Sequence, residues 1–256
     1  MLCSILISNF NKSKYLERCL QSVMNQTFKN IEIIFSDNGS TDASIKIASN
    51  YENIEILSNE RGTSFPALNQ IEVILKAFEK SKGEYIFFLD SDDFFEKNKV
   101  EEIIKHKLKN NFQFIADKPK LYINENNSEN FKDKNLFKTL RSWPIIFPTS
   151  SLSCTREFFK NFKNYLFFKD YDKLEIDTRL NIFSNIENKR EIYDKKILTN
   201  YRQTNEGIMS NYKKFSNNWW NKRFQAHKYL HQVQKIKKIK TSKNLDYFVT
   251  RILKNF

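Results

Sequence analysis

Apolar positions in the first hundred residues switch repeatedly between two periods. Residues 2–8 (LCSILIS), 31–36 (IEIIFS), 54–58 (IEILS) and 85–89 (YIFFL) are short apolar runs bounded by polar residues, the pattern of buried strands. Between them the spacing becomes that of amphipathic helices. Over 13–25, Leu16, Leu20, Val23 and Met24 share one face. Over 67–82, Ile71, Ile74, Leu75 and Phe78 point inward, and Gly83 follows as a stop signal. Ser40 or Thr41 can cap a helix running to about residue 50, and another helix is predicted over 97–110. Strands alternating with helices predict an α/β fold: a Rossmann-like, mostly parallel sheet flanked by helices. Ligands on such sheets bind at the carboxyl ends of strands.

Past residue 115 the pattern weakens. Residues 116–140 are polar and rich in Asn and Lys, and read as loop, helix or short strands. Patterning returns over 143–201, with helices predicted at 155–161 and 174–184. No internal repeat is evident. In the last segment Leu245, Phe248, Val249, Ile252, Leu253 and Phe256 follow i, i+3, i+4 spacing, and Trp219, Trp220, Phe224 and Leu230 form a looser stripe. The expected organisation is one domain over 1–210, with halves meeting near residue 100, and a basic helical extension over 211–256.

Composition narrows the classes. Hydrophobic residues at 40% and aromatics at 15% can build a substantial core, which argues against wholesale disorder. Only 4 Gly and 4 Pro exclude collagen-like and linker-rich chains. Cys3, Cys19 and Cys154 are odd in number and lack CxxC spacing, so neither a disulfide framework nor a zinc site is expected. A reducing, cytoplasmic setting fits. The first ten residues lack a basic n-region, and no stretch approaches the ~20 apolar residues of a spanning helix. The formal charge of +13 is uneven: residues 211–256 hold twelve Lys and Arg against one acid, Asp246.

Two acidic clusters fall at predicted strand ends. Asp90, Ser91, Asp92 and Asp93 end the fourth strand, where carboxylates so close together repel. A divalent cation bearing a diphosphate would turn that repulsion into attraction; the plainer reading is a solvated turn capping the next helix. In IEIIFSDNGSTD, Asp37 leaves the second strand and Gly39 permits a tight turn. A carboxylate there can accept a uracil imide N–H or a ribose hydroxyl. Ser40, Thr41 and Asp42 read as helix caps.

These two segments, with SILISNFNKSKYLERCLQSVMNQTF, resemble the family 2 glycosyltransferases of the GT-A fold, over about residues 4–99. Residues 4–11 resemble the family's first strand and Pro-Thr-Tyr-Asn turn, with Ser8 and Asn9 for Pro and Thr and Phe10 for Tyr. Residues 25–28 (NQTF) resemble the turn before the second strand. Residues 37–42 resemble its Asp-Asp-Gly-Ser-Thr-Asp string, with Asn38 for the second Asp. Residues 83–93 resemble its Gly-Glu-Tyr-Ile strand and Asp-x-Asp metal motif. The family often has Ala-Arg-Asn near the donor; here the stretch is Ala67-Leu68-Asn69, and nearby Arg61 is a candidate substitute.

The resemblance implies a nucleotide-sugar donor, UDP-linked, bound by Ser8, Phe10, Asp37, Asp90, Ser91 and Arg202, with Mg²⁺ or Mn²⁺ on Asp90 and Asp92. It implies a nucleotide-binding half over 1–100 and an acceptor half over 101–210. A general base would deprotonate an acceptor hydroxyl, which attacks the anomeric carbon with inversion. In LEIDTRL (174–180) Asp177 fits as base with Arg179 beside it; Glu175, Asp172 and Asp170 are rivals, and a solvated helix face is the plainer reading. Arg202, in NYRQTNEGIMS, can meet a phosphate or serve a structural ion pair. Trp143 reads as a sugar platform or a core residue. His227 and His231 are four apart but have no third ligand, so ordinary histidines are expected.

The expected acceptor is a glycan or lipid-linked glycan of a surface polysaccharide or lipooligosaccharide. The basic tail then reads as docking to anionic lipid on the inner face of the cytoplasmic membrane, or as helices packed on the domain. Two other classes compete. A nucleic-acid binder would use the same tail, but no binding motif is visible and acidic strand ends repel phosphate, so no nucleic acid is expected. A sugar-phosphate nucleotidylyltransferase needs a Gly-rich, Arg-bearing loop after the first strand, and ISNFNKSK is not one.

Overall fold

The computed structural model describes residues 1–124, 127–131, 143–168, 170–204, 206–241 and 243–255. Residues 125–126 and 132–140 of the weakly patterned stretch, and Phe256 of the last stripe, lie outside them. The first half runs β1 (Cys3–Asn9), α1 (Ser13–Met24), β2 (Ile31–Asp37), α2 (Ser44–Ala48), β3 (Ile54–Ser58), α3 (Pro66–Lys80), β4 (Tyr85–Asp90), β5 (Phe94–Phe95) and α4 (Lys99–Asn110). Then follow β6 (Phe114–Asp117), β7 (Lys120–Asn124), β8 (Asn127–Asn130), β9 (Leu152–Thr155), α5 (Arg156–Lys163) and α6 (Ile176–Ile186). The chain continues through β10 (Arg190–Tyr193), β11 (Thr199–Arg202), α7 (Asn217–Ile236) and α8 (Leu245–Leu253).

Seven strands form one sheet in the order β10-β6-β9-β4-β1-β2-β3. It is parallel except for β9, which runs antiparallel to both β4 and β6. A smaller sheet, β5-β11-β7-β8, stands beside the carboxyl end of β4. Strand alternation divides the core. Leu6, Ile34, Ile86 and Phe88 face α3, α5, α6 and α7. Ile5, Ile7, Phe35, Phe87 and Leu89 face α1 and α4. Each such side chain, fully buried, stabilises the fold by about 1.5–3 kcal/mol. Helix α7 adds Ala226, Tyr229, Leu230 and Val233 to the first of these clusters. The three cysteines are buried and free.

Two local expectations change. Helix α2 starts at Ser44, not at residues 40–41, because the Ser40 hydroxyl donates to Asp37 Oδ1 (2.6 Å) instead of capping. Asp42 does serve the start of α2, accepting from the Ser44 N–H (3.0 Å), and its other oxygen accepts from the Ser13 N–H (2.8 Å), tying that turn to the start of α1. Gly83 is not the helix stop, since α3 already ends at Lys80 with Ser81 extended. Its value is close approach: a Cβ there would lie 2.4 Å from Ser4 Oγ and 2.6 Å from Ser4 N on β1. Gly83→Ala should therefore cost about 1–3 kcal/mol, read from the urea midpoint. A loss below about 0.5 kcal/mol would show that this strand start yields freely. Gly39, at φ +73°, does make the tight turn.

Candidate active site

Register brings the polar strand ends together. Pairing of β1 with β4 sets Ser8 beside Asp90, and pairing of β1 with β2 sets Asn9 beside Asp37. Ser8 Oγ donates to Asp90 Oδ1 (2.6 Å), and Gln70 Nε2, from the first turn and a half of α3, donates to the same oxygen (2.9 Å). The Asp90 N–H donates to Ser150 Oγ (3.0 Å), which donates to Asp93 Oδ2 (2.5 Å). The Arg202 N–H closes the group on Asp93 Oδ1 (2.7 Å). Asp92 instead meets Lys12 Nζ at 2.9 Å.

Under this rim lies a buried ion pair. Lys99 Nζ is 2.8 Å from Asp117 Oδ1 and donates to the Ser150 carbonyl (2.6 Å) and Thr199 Oγ1 (2.5 Å). Thr199 donates in turn to Asp117 Oδ2 (2.5 Å). The pair fixes the 149–151 turn whose Ser150 orients Asp90 and Asp93.

Burial first, then repulsion from Asp92, pushes the Asp90 carboxyl up to about 6, against the lowering effect of Ser8 and Gln70. Asp93 is raised as well, by burial and then by Asp92 and Asp90. Asp90 and Asp92 offer carboxylate oxygens, the hard donors that Mg²⁺ or Mn²⁺ prefers. The crowding that raises Asp90 is what a cation would relieve, so the pair fits one. Among the described residues no three His, Cys, Asp or Glu side chains cluster as a metal cage. The remaining ligands would have to come from the diphosphate and water.

A cavity of about 590 Å³ opens over this rim. Ser8, Phe10, Asp90, Ser91, Asp92, Asp177 and Arg202 all line it. Asp37 does not: it is buried behind the wall, accepting from Asn9 Nδ2 (2.6 Å) and from the Ser40 N–H (2.8 Å), while its neighbour Asn38 reaches the cavity. Arg61 stands with its guanidinium 4.3 Å from the Phe10 ring centroid, at the cavity wall. Asn69, of the Ala67-Leu68-Asn69 stretch, is buried and bonds both ways with the Thr63 backbone, which shapes the loop between Arg61 and α3.

The start of α6 contributes Glu175 and Asp177 to the cavity lining. Burial, then Glu175, pushes the Asp177 carboxyl up to about 7, while Lys222 of α7 pulls the other way. Lys222 Nζ holds Glu175 at 2.5 Å. The rivals Asp170 and Asp172 are outside the cavity lining; Asp170 is exposed and Asp172 accepts from Gln225 (2.5 Å). Arg179, next along α6, faces away. It is fully buried and donates to the carbonyls of Leu166, Tyr171 and Leu174, holding the loop that leads into α6. Trp143 is a core residue with its ring 4.4 Å from that of His227. His227 sits 3.4 Å from Asp246 and packs with His231 against Tyr247.

Sequence reading missed Lys12, Gln70, Tyr201 and Lys222. Lys12 is the first cation after β1 and could have been found from that position. Tyr201 shares its strand end with Arg202, and burial and the surrounding carboxylates keep its hydroxyl a donor. Gln70 and Lys222 carry no local signal.

Known proteins resemble this chain in sequence and in fold. An uncharacterized glycosyltransferase of Haemophilus influenzae is 37% identical over 113 residues, covering 43% of each chain. The chondroitin synthase of Pasteurella multocida is 31% identical over 147 residues, 56% of this chain and 14% of that one. The chain spans less than half the length of these curated relatives. Among solved structures, Staphylococcus aureus TarS 1–349 in complex with UDP-GlcNAc superposes with TM-score 0.66 at 14% identity, over 99% of this chain and 70% of that one. The mannosyltransferase PcManGT of Pyrobaculum calidifontis, in complex with GDP-Man and Mn²⁺, gives TM-score 0.60 at 13% identity, over 98% and 67%. At such identities the structures establish a shared fold, the GT-A arrangement. The model of glycosyl transferase family 2 matches residues 4–195, from the first strand through the Asp177 helix, and the chain therefore belongs to that family.

Proposed function

We propose that this chain is an inverting, metal-dependent glycosyltransferase. It would move a hexosyl or N-acetylhexosaminyl group from a UDP-sugar to a hydroxyl of a glycan or lipid-linked glycan, in surface polysaccharide or lipooligosaccharide synthesis. The observation that carries the reading is one cavity lined both by the Asp90–Asp92 rim and by Asp177, whose carboxyl burial pushes up to about 7. The UDP-GlcNAc of the TarS complex and the GDP-Man and Mn²⁺ of the PcManGT complex support a nucleotide sugar and a divalent cation. The chondroitin synthase match supports a polysaccharide product.

In this reading Phe10 and Arg61 cover the base, and Asp37 shares in donor binding through the turn it holds with Asn9 and Ser40. Ser8 and Gln70 orient Asp90, and Ser91, Lys12 and Arg202 face the diphosphate. Mg²⁺ or Mn²⁺ on Asp90 and Asp92 would supply positive charge to the leaving group. Asp177 takes the proton of the acceptor hydroxyl. The acceptor oxygen bonds to the anomeric carbon as the bond to the diphosphate oxygen breaks, and the electron pair leaves with the diphosphate. Tyr201 and Glu175, held by Lys222, complete the acceptor side.

Calorimetry of UDP binding with and without Mn²⁺ tests the reading. Wild type should bind UDP at least about ten-fold tighter with Mn²⁺, and Asp92→Asn should lose that increment. Equal affinity in both conditions for the wild type would remove the metal and, with it, the proposed role of the acidic rim.

A further inference from the structure

Helix α8 buries one face and leaves the other bare. Tyr247 and Thr250 pack inward, and Asp246 meets Arg223 (2.6 Å) on α7. Outward, Leu245 is 60% exposed, Phe248 48%, Val249 39% and Ile252 59%. Their spacing of three, four and seven residues puts them on one stripe. The last residue of α7, Ile236, and Ile239 of the connection that follows are exposed as well. Basic residues border this surface: Lys235, Lys238, Lys240, Lys243 and Arg251 are all exposed.

We propose that the outer face of α8 and the α7–α8 connection form a docking surface for an anionic lipid bilayer. The charge argument selects this occupant. Asp246, the single acid of residues 211–256, is turned inward onto Arg223 and His227, so it does not offset the surrounding lysines. Apolar side chains entering the acyl boundary, with cations at headgroup level, match a basic interfacial helix. A second copy of the chain would set one lysine-rich face against another. Nucleic acid would satisfy the lysines but leave Leu245, Phe248, Val249 and Ile252 without apolar partners. No helix among the described residues is long and apolar enough to cross a membrane, so the contact is interfacial. The surface does not depend on the catalytic reading, since none of its residues lines the active-site cavity.

The test is cosedimentation of the full chain with vesicles of phosphatidylcholine, with and without phosphatidylglycerol. Partitioning should rise at least about ten-fold with the anionic lipid and fall with added salt. Phe248→Ser/Ile252→Ser and, separately, Lys240→Glu/Lys243→Glu should each reverse most of that gain, while UDP binding with Mn²⁺ stays at the wild-type level. The charge pair keeps the test decisive if the apolar pair unfolds α8. Equal binding to both vesicle types, or wild-type binding by the charge-reversed variant, overturns the proposal. So does absence of vesicle binding together with self-association that Phe248→Ser/Ile252→Ser abolishes, or with duplex DNA binding that survives it.

Discussion

Asp177→Asn should slow transfer by about 10²–10⁴-fold while leaving UDP binding intact, because it removes the proposed proton acceptor and nothing proposed to face the diphosphate. The wild-type rate should carry its own signature. With the Asp177 carboxyl raised to about 7, kcat/KM should climb with pH through that value, since only the ionised form can accept a proton. The same shift makes a stability prediction. A carboxyl whose folded value lies above its unfolded one loses stability as pH rises from the ordinary carboxylate range through about 7. Above 7 the cost is complete, and Asp177→Asn should be more stable than wild type by up to about 4 kcal/mol, the gap closing toward acid pH. Melting curves at two pH values read this directly. Undiminished turnover in Asp177→Asn would transfer the base role to Glu175, and a rate that is flat across neutral pH would remove an ionising base altogether.

Lys99→Met should destabilise the fold by about 3–5 kcal/mol, because it strands the buried Asp117 carboxylate and leaves the Ser150 carbonyl only the longer contact from the Thr199 hydroxyl (3.3 Å). Burial pushes both partners toward their neutral forms, Lys99 downward and Asp117 upward, and each opposes the shift of the other. The pair is therefore worth far less than the loss of either member. Lys99→Met/Asp117→Leu should recover most of the stability, and a urea double-mutant cycle measures the coupling. Simple additivity of the two single losses would refute the idea. Surviving Lys99→Met protein should also bind UDP and Mn²⁺ more weakly, as the Ser150 turn no longer holds Asp90 and Asp93 in place.

Much of the frame was legible from local pattern. The runs that became β1, β2, β3 and β4 and the stripes of α1 and α3 need only the alternation of two periods, and the family resemblance pointed to the same half. Seven of the eight candidate site residues converge on one cavity: Ser8, Phe10, Asp90, Ser91 and Asp92 because strand ends in a parallel sheet share an edge whatever lies between them, Asp177 and Arg202 because α6 and β11 are brought to that edge by packing. Asp37 shows the limit. Its position at a strand end was readable, but its burial behind the wall follows from hydrogen bonds to Asn9 and Ser40, residues 28 and 3 positions away. The four-residue β9 was not readable as a strand, since LSCT has too few positions to show a period and its place between β4 and β6 is a matter of long-range pairing.

The sequence by itself determined the α/β class, the acidic strand ends, the odd number of cysteines and the basic, apolar-striped tail, because each is written in residue type and short-range spacing. Tertiary structure alone decided that Ser8 orients Asp90, that Lys99 underpins the Ser150 turn, that Arg179 faces away while Asp177 faces in, and that α8 turns Asp246 inward. The physical reason is that a carboxylate's pKa and a lysine's partner depend on desolvation and on contacts within a few ångströms. Chain order specifies neither until register and packing have been set.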